Sequence, residues 1–144
     1  MSIAIYYDET GYKLKSSKNC KKLIEKVIRS EMKIPGDLYF VITTDEKLIE
    51  LNREFLDHDY FTDVIAFDNG EGRKVSGEVY ISIDTVRKNA VNYKVSLKNE
   101  LMRVMIHGTL HLCGYKDSNI REKEVMRREE DKWLKKAESG ELWN

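Results

Sequence analysis

The chain has 144 residues, with Lys plus Arg and Asp plus Glu at 25 each and only two cysteines. That length suits a single domain over residues 1–144 with its own core, and the balanced charge removes net charge as an argument for a nucleic-acid partner. Cys20 and Cys113 are too few and too far apart for a disulfide framework or a thiolate zinc site; with no basic-then-apolar leader at Met1 to Tyr7 and no membrane-length apolar run, the expectation is a cytoplasmic protein that makes no membrane contact.

Ile3 to Tyr7 reads as a strand. Lys18 to Met32 follows as an amphipathic helix with Leu23, Ile24, Val27 and Ile28 at helical spacing, ended by Pro35-Gly36. Leu38 to Ile42 reads as a buried strand, and Thr43 with Glu46 three residues on predicts a capping box opening a helix through Leu48, Ile49, Leu51 and Phe55. Val64 to Phe67 and Gly77 to Ser82 are two further strands, joined by the Asn69-Gly70-Glu71-Gly72 turn into a hairpin. Helices follow over Asp84 to Tyr93, from about Ser96 through Leu112, and over Ile120 to Ala137, with residues 138–144 expected to fray. This order implies an α+β domain: a mixed four-stranded sheet with helices packed against it.

The chemistry concentrates in His107-Gly-Thr-Leu-His111-Leu-Cys-Gly114-Tyr-Lys-Asp117. The stretch Glu100 to Leu112 is apolar and free of proline, and on such a helix His107 and His111 stand one turn apart on one face. Gly114 provides a residue for chain reversal at the helix end, which can carry Asp117 back toward the imidazoles. Two histidines at this spacing can also be a hydrogen-bonded packing pair, but adding Gly114 and Asp117 on a core helix makes a metal site the better account of the buried polarity. Two imidazoles and a carboxylate with an open position suit one divalent ion, zinc first and nickel as an alternative. Zinc proteases of related spacing place a glutamate directly after the first histidine; here that position is Gly108, so ligand geometry is kept without the peptide-cleaving base.

HGTLHLCGYKD, together with Thr62-Asp63-Val64-Ile65-Ala66-Phe67, Gly77-Glu78-Val79-Tyr80-Ile81-Ser82 and Leu51-Asn52 with Phe55, resembles the YbeY family of bacterial rRNA-maturation endoribonucleases over nearly the whole chain. The family motif HGxLHLxGYDH ends in a third histidine where this chain has Asp117, and an arginine follows the aromatic where this chain has Leu56. The ligand set read for this chain is therefore His107, His111 and Asp117. Arg53, one turn before the position of the missing arginine, and His58, just beyond the helix, are candidates for phosphate contact.

The resemblance implies a single-strand-specific, metal-dependent endoribonuclease acting in small-subunit (16S) rRNA 3′-end maturation and ribosome quality control. Its implied partners are rRNA, the small ribosomal subunit and a ribosome-assembly GTPase. Two rivals keep the metal: a hydrolase of another substrate, and a non-catalytic ribosome-assembly factor whose ion is structural. Asp63 and Glu78 are conceivable catalytic helpers or structural caps, and Tyr60, Phe61 and Tyr115 are stacking or packing aromatics. The lysine run Lys13, Lys15, Lys18, Lys21 and Lys22 and the acid-interleaved cluster Arg121, Lys123, Arg127 and Arg128 read as solvated faces, with phosphate contact as the alternative for the first.

Overall fold

Leu38, Phe40 and Ile42 alternate with more exposed neighbours, a pattern that buries fully only when a helix layer covers one face of the sheet. The computed structural model describes residues 2–55 and 62–140. Strands β1 (Ser2–Tyr7), β2 (Ile34–Thr43), β3 (Val64–Asp68) and β4 (Lys74–Ser82) form one sheet in the order β1-β2-β4-β3. β1, β2 and β4 are parallel, and β3 pairs antiparallel with β4, so the expected mixed α+β sheet with a hairpin is what the chain forms. Helix α1 (Ser17–Ser30) connects β1 to β2, and α2 (Asp45–Phe55) lies between β2 and β3. α3 (Ile83–Tyr93), α4 (Leu97–Leu112) and α5 (Ile120–Ser139) complete the order. Among the described residues no helix is long and apolar enough to cross a membrane.

The two sheet faces carry different layers. Leu38, Phe40, Ile42, Val75, Val79 and Ile81 meet α1 and α4 in the main core, while Ile65, Phe67 and Tyr80 on the opposite face meet Leu48 and Leu51 of α2. α4 is the central element, apolar nearly all round, with Leu101, Met105, Ile106 and Leu110 all at 1% exposure or less. It lies very close to the sheet, for a Cβ built on Gly108 would come within 2.6 Å of Val79 Cγ1.

Helix ends show where local reading and tertiary context part. α1 stops at Ser30 rather than Met32 because Met32 takes a left-handed φ of 60°, and the Met32 and Lys33 amides then donate back to Arg29 and Ile28. Pro35-Gly36 accordingly lies inside β2 at a register irregularity, where a missing amide is tolerated. The cap of α2 is Thr44 rather than Thr43: Thr44 Oγ1 accepts from the Lys47 amide at 3.3 Å, and Glu46 is not the paired residue of a capping box. Thr43 is buried and donates to Asp8 instead. The N-termini of α2 and α3 are tied together: Asp84 Oδ2 accepts from the Asp45 amide, and Asp45 Oδ1 accepts from the hydroxyls of Thr85 and of Ser82, which itself caps α3. α5 runs on through Glu138 and Ser139, which had been expected to fray; Glu138 accepts from the Asn99 side chain at 2.9 Å, and Gly140 closes the helix at φ 76°.

The Gly108 contact makes a test of this packing. Gly108→Ala gains helix propensity worth ~1 kcal/mol but crowds a stiff β-branched side chain, and we expect a net loss of about 1 kcal/mol or more in denaturant unfolding. In a Val79→Ala background the same substitution should become neutral or stabilising.

Candidate metal centre

The site grows from the C-terminal end of α4. Gly114 takes a φ of 107°, the Gly114 amide donates to His111 O at 3.0 Å, and the Tyr115 amide donates to Leu110 O at 3.0 Å. These two bonds form a Schellman closure and reverse the chain. At the far side of the turn Asn119 caps α5 by accepting from the Glu122 amide at 2.8 Å, while the Glu122 carboxylate reaches back to the Ser118 amide and hydroxyl. Asp117 is therefore carried on a segment pinned at both ends.

The side chains converge as the spacing predicts. His107 Nε2 and His111 Nε2 lie 3.1 Å apart, and the Asp117 carboxylate oxygens are 3.3 Å from the first and 3.5 Å from the second. Ligand atoms on a tetrahedral zinc sit ~2.0–2.2 Å from the ion, which places them about 3.3 Å from each other. The three groups together meet the spacing of a single-ion site.

Protonation supports the same reading. His107 Nδ1 is 2.7 Å from Glu130 Oε2, and His111 Nδ1 is 3.0 Å from the Tyr115 carbonyl oxygen. Both partners are acceptors, so each Nδ1 carries the hydrogen and donates it, and in the neutral rings each Nε2 is left with a lone pair. Two lone pairs facing each other at this distance repel unless a cation or a proton lies between them. Burial pulls the His107 pKa down, but the Glu130 hydrogen bond and charge, with Asp117 and Asp63, outweigh it and leave the pKa raised. The residues present thus fit a divalent ion.

Glu130 is the member of this site that sequence reading passed over. It is 4% exposed, and its second oxygen accepts from Arg103 Nη1 at 2.9 Å, while Arg103 Nη2 reaches Asp131 at 2.6 Å. A carboxylate that holds the far nitrogen of a metal-binding imidazole fixes ring orientation and raises ligand basicity. One signal was available: Glu130 shares the buried stripe of α5 with Met126, Trp133 and Leu134, an unusual place for an acid without a partner.

Two cavities meet at His107. One, of about 480 Å³, runs beside β3 and is lined by Asn52, Asp63, Val64, Ala66 and all three candidate ligands. The other, of about 280 Å³, lies between α3, α4 and α5, and shares Asp63, His107 and Asp117 with the first. Asp63 is held at the entry to β3 by its carbonyl, which accepts from the Ser82 amide, and burial raises its pKa while the His107 charge opposes the shift.

The remaining candidates fall elsewhere. Arg53 is exposed on α2 and lines neither cavity, although its neighbour Asn52 is buried and lines the larger one. His58, with Leu56, Tyr60 and Phe61, lies outside the described residues. Glu78 accepts from the Tyr80 hydroxyl and lines neither cavity. Tyr115 packs against the core and serves through its carbonyl. Burial pushes the Cys113 thiol up to about 11, so it packs as a neutral group against the core. None of the five N-terminal lysines lines either cavity, whereas Lys123 and Arg127 line the smaller one.

A glutamate at position 108, where a peptidase would keep its base, has no room here, because the Cβ direction is filled by Val79. Replacing Glu130 by Gln should weaken divalent-metal affinity about 10–100-fold in competition titrations with a chromogenic chelator. Cys113→Ala should leave the metal stoichiometry unchanged.

Known proteins match along nearly the full length. The family model described as Endoribonuclease YbeY matches residues 6–138. The Endoribonuclease YbeY of Christiangramia forsetii is 43% identical over 126 residues, covering 88% of each chain. That of Parabacteroides distasonis is 41% identical over 134 residues, covering 93% of this chain and 94% of the other. Among solved structures, the solution structure of TM1509 from Thermotoga maritima superposes with a TM-score of 0.58 at 28% identity, over 96% of this chain and 89% of that one. The converging imidazoles and carboxylate thus occur on a chain that belongs to the YbeY endoribonuclease family.

Proposed function

We propose that this protein is a single-strand-specific, metal-dependent endoribonuclease that acts in the cytoplasm on small-subunit rRNA, in 3′-end maturation of the 16S molecule and in ribosome quality control. The observation that carries the metal dependence is the pair of Nε2 lone pairs 3.1 Å apart beside the Asp117 carboxylate, each ring locked from behind. Family membership supplies the RNA substrate. The small ribosomal subunit and an assembly GTPase are the partners this reading implies.

His107, His111 and Asp117 would hold the ion; when bound, a divalent ion supplies Lewis acidity toward a phosphate oxygen and toward water. Two neutral imidazoles and one carboxylate leave a divalent ion with a net positive charge, which suits zinc and accommodates nickel. The chain's own contribution is positioning and proton handling. Asp63 faces both cavities, and among the described residues its carboxylate accepts only from its own backbone amide, so it is the carboxylate available to accept a proton from the attacking water. In that hydrolysis the water oxygen bonds to phosphorus, the bond from phosphorus to one ribose oxygen breaks, and the departing oxygen receives a proton.

Purified protein assayed on single-stranded rRNA should lose cleavage on chelation and recover it on adding back zinc, and His107→Ala should lose both metal and activity. Equal cleavage with and without chelator, or by His107→Ala, would discard the reading. Asp63→Asn should retain the metal while its turnover falls about 10²–10⁴-fold.

A further inference from the structure

The smaller cavity contains a group that the metal site does not use. Glu100 opens onto it from the first turn of α4, is 4% exposed, and makes no side-chain hydrogen bond among the described residues. A buried carboxylate without a partner costs free energy unless a ligand supplies donors. Burial raises its pKa while the Arg103 guanidinium opposes the shift, and Arg103 is itself committed to Glu130 and Asp131.

The surrounding groups describe what fits. Tyr93 lies at the rim, 54% exposed, with the Arg127 guanidinium 5.8 Å from its ring centroid, which forms a platform of the sort on which unpaired bases stack. Lys123 and Arg127 add positive charge, and Asn89 offers an amide. A volume of about 280 Å³ is just below the ~300–1,000 Å³ of small-molecule sites, which suits one planar base and excludes a duplex. Glu100 stands two helical turns before His107, ~10 Å along α4. A nucleotide whose phosphate lies at the histidines can therefore extend its base toward Glu100.

We propose that this cavity is a base-recognition pocket for the nucleotide flanking the cleaved bond, and that Glu100 selects guanine there. A carboxylate has two acceptor oxygens and no donor, and the Watson–Crick edge of guanine presents N1–H and the 2-amino group side by side. Adenine and cytosine place an acceptor beside their amino group and would set a lone pair against one carboxylate oxygen. The pocket rests on the RNA substrate proposed above, but its binding can be read without cleavage.

The test uses metal-loaded protein and cleavage-resistant phosphorothioate pentaribonucleotides carrying one guanine, or inosine, adenine or cytosine in its place, followed by fluorescence anisotropy. Inosine lacks only the 2-amino group, and its substitution should weaken binding about tenfold in the wild type and have no effect in Glu100→Gln. Because inosine alters the ligand rather than the protein, the result does not depend on how well the variant folds. Equal binding of all four oligonucleotides, a preference for adenine, or a guanine preference that survives in Glu100→Gln would overturn the proposal. So would two metal ions per chain falling to one in Glu100→Gln, which would assign the carboxylate to a cation. Guanine-selective binding without cleavage under any metal would sink the nuclease reading and leave the pocket standing; cleavage of a random-sequence RNA pool with no flanking guanine preference would do the reverse.

Discussion

The constraint on which the site depends is that both histidines are held from behind. Glu130 and the Tyr115 carbonyl each take an Nδ1 hydrogen, and this turns two Nε2 lone pairs toward a common point. An imidazole pair alone would relax by rotating a ring or by sharing a proton. Here rotation of either ring breaks a hydrogen bond, and the one to Glu130 is buried and charge-assisted. The repulsion between the lone pairs is thereby built into the fold and is relieved by positive charge at the one place where Asp117 also points.

Much of this could be read from one dimension. The α4 periodicity, the His107–His111 spacing and the Gly114 reversal are all local, and local information survives in sequence. The strands and the β3–β4 hairpin followed from alternation and the glycine-bearing turn, whereas the strand order β1-β2-β4-β3 did not. Glu130 could not be assigned in the same way, because its partner lies on another helix and only its place on an apolar stripe betrays it. The errors at helix ends share that cause. Met32 adopts a conformation usually left to glycine, and Pro35 enters a strand because the register there shifts, choices made by tertiary packing rather than propensity.

Gly108 shows how one residue serves two levels. Within the motif it marks the absence of a protease base; in the fold it is the point where α4 comes down on Val79. A side chain there would lift the helix that bears both imidazoles, so the chemical and the architectural reasons for glycine cannot be separated by inspecting the motif. A carboxylate at 117 in place of a third imidazole could still serve as a ligand and would lower the net charge of a loaded centre, which favours harder ions than a three-histidine set.

His107 and His111 belong to one helix, whereas Glu130 and the cap that pins Asp117 belong to α5. With α5 undocked, His107 would lose its Glu130 partner and Asp117 the cap that follows it, while His111 would keep the Tyr115 carbonyl. Were an ion held between these groups, its full ligand geometry would require the last helix to have seated, which would couple loading to completed folding.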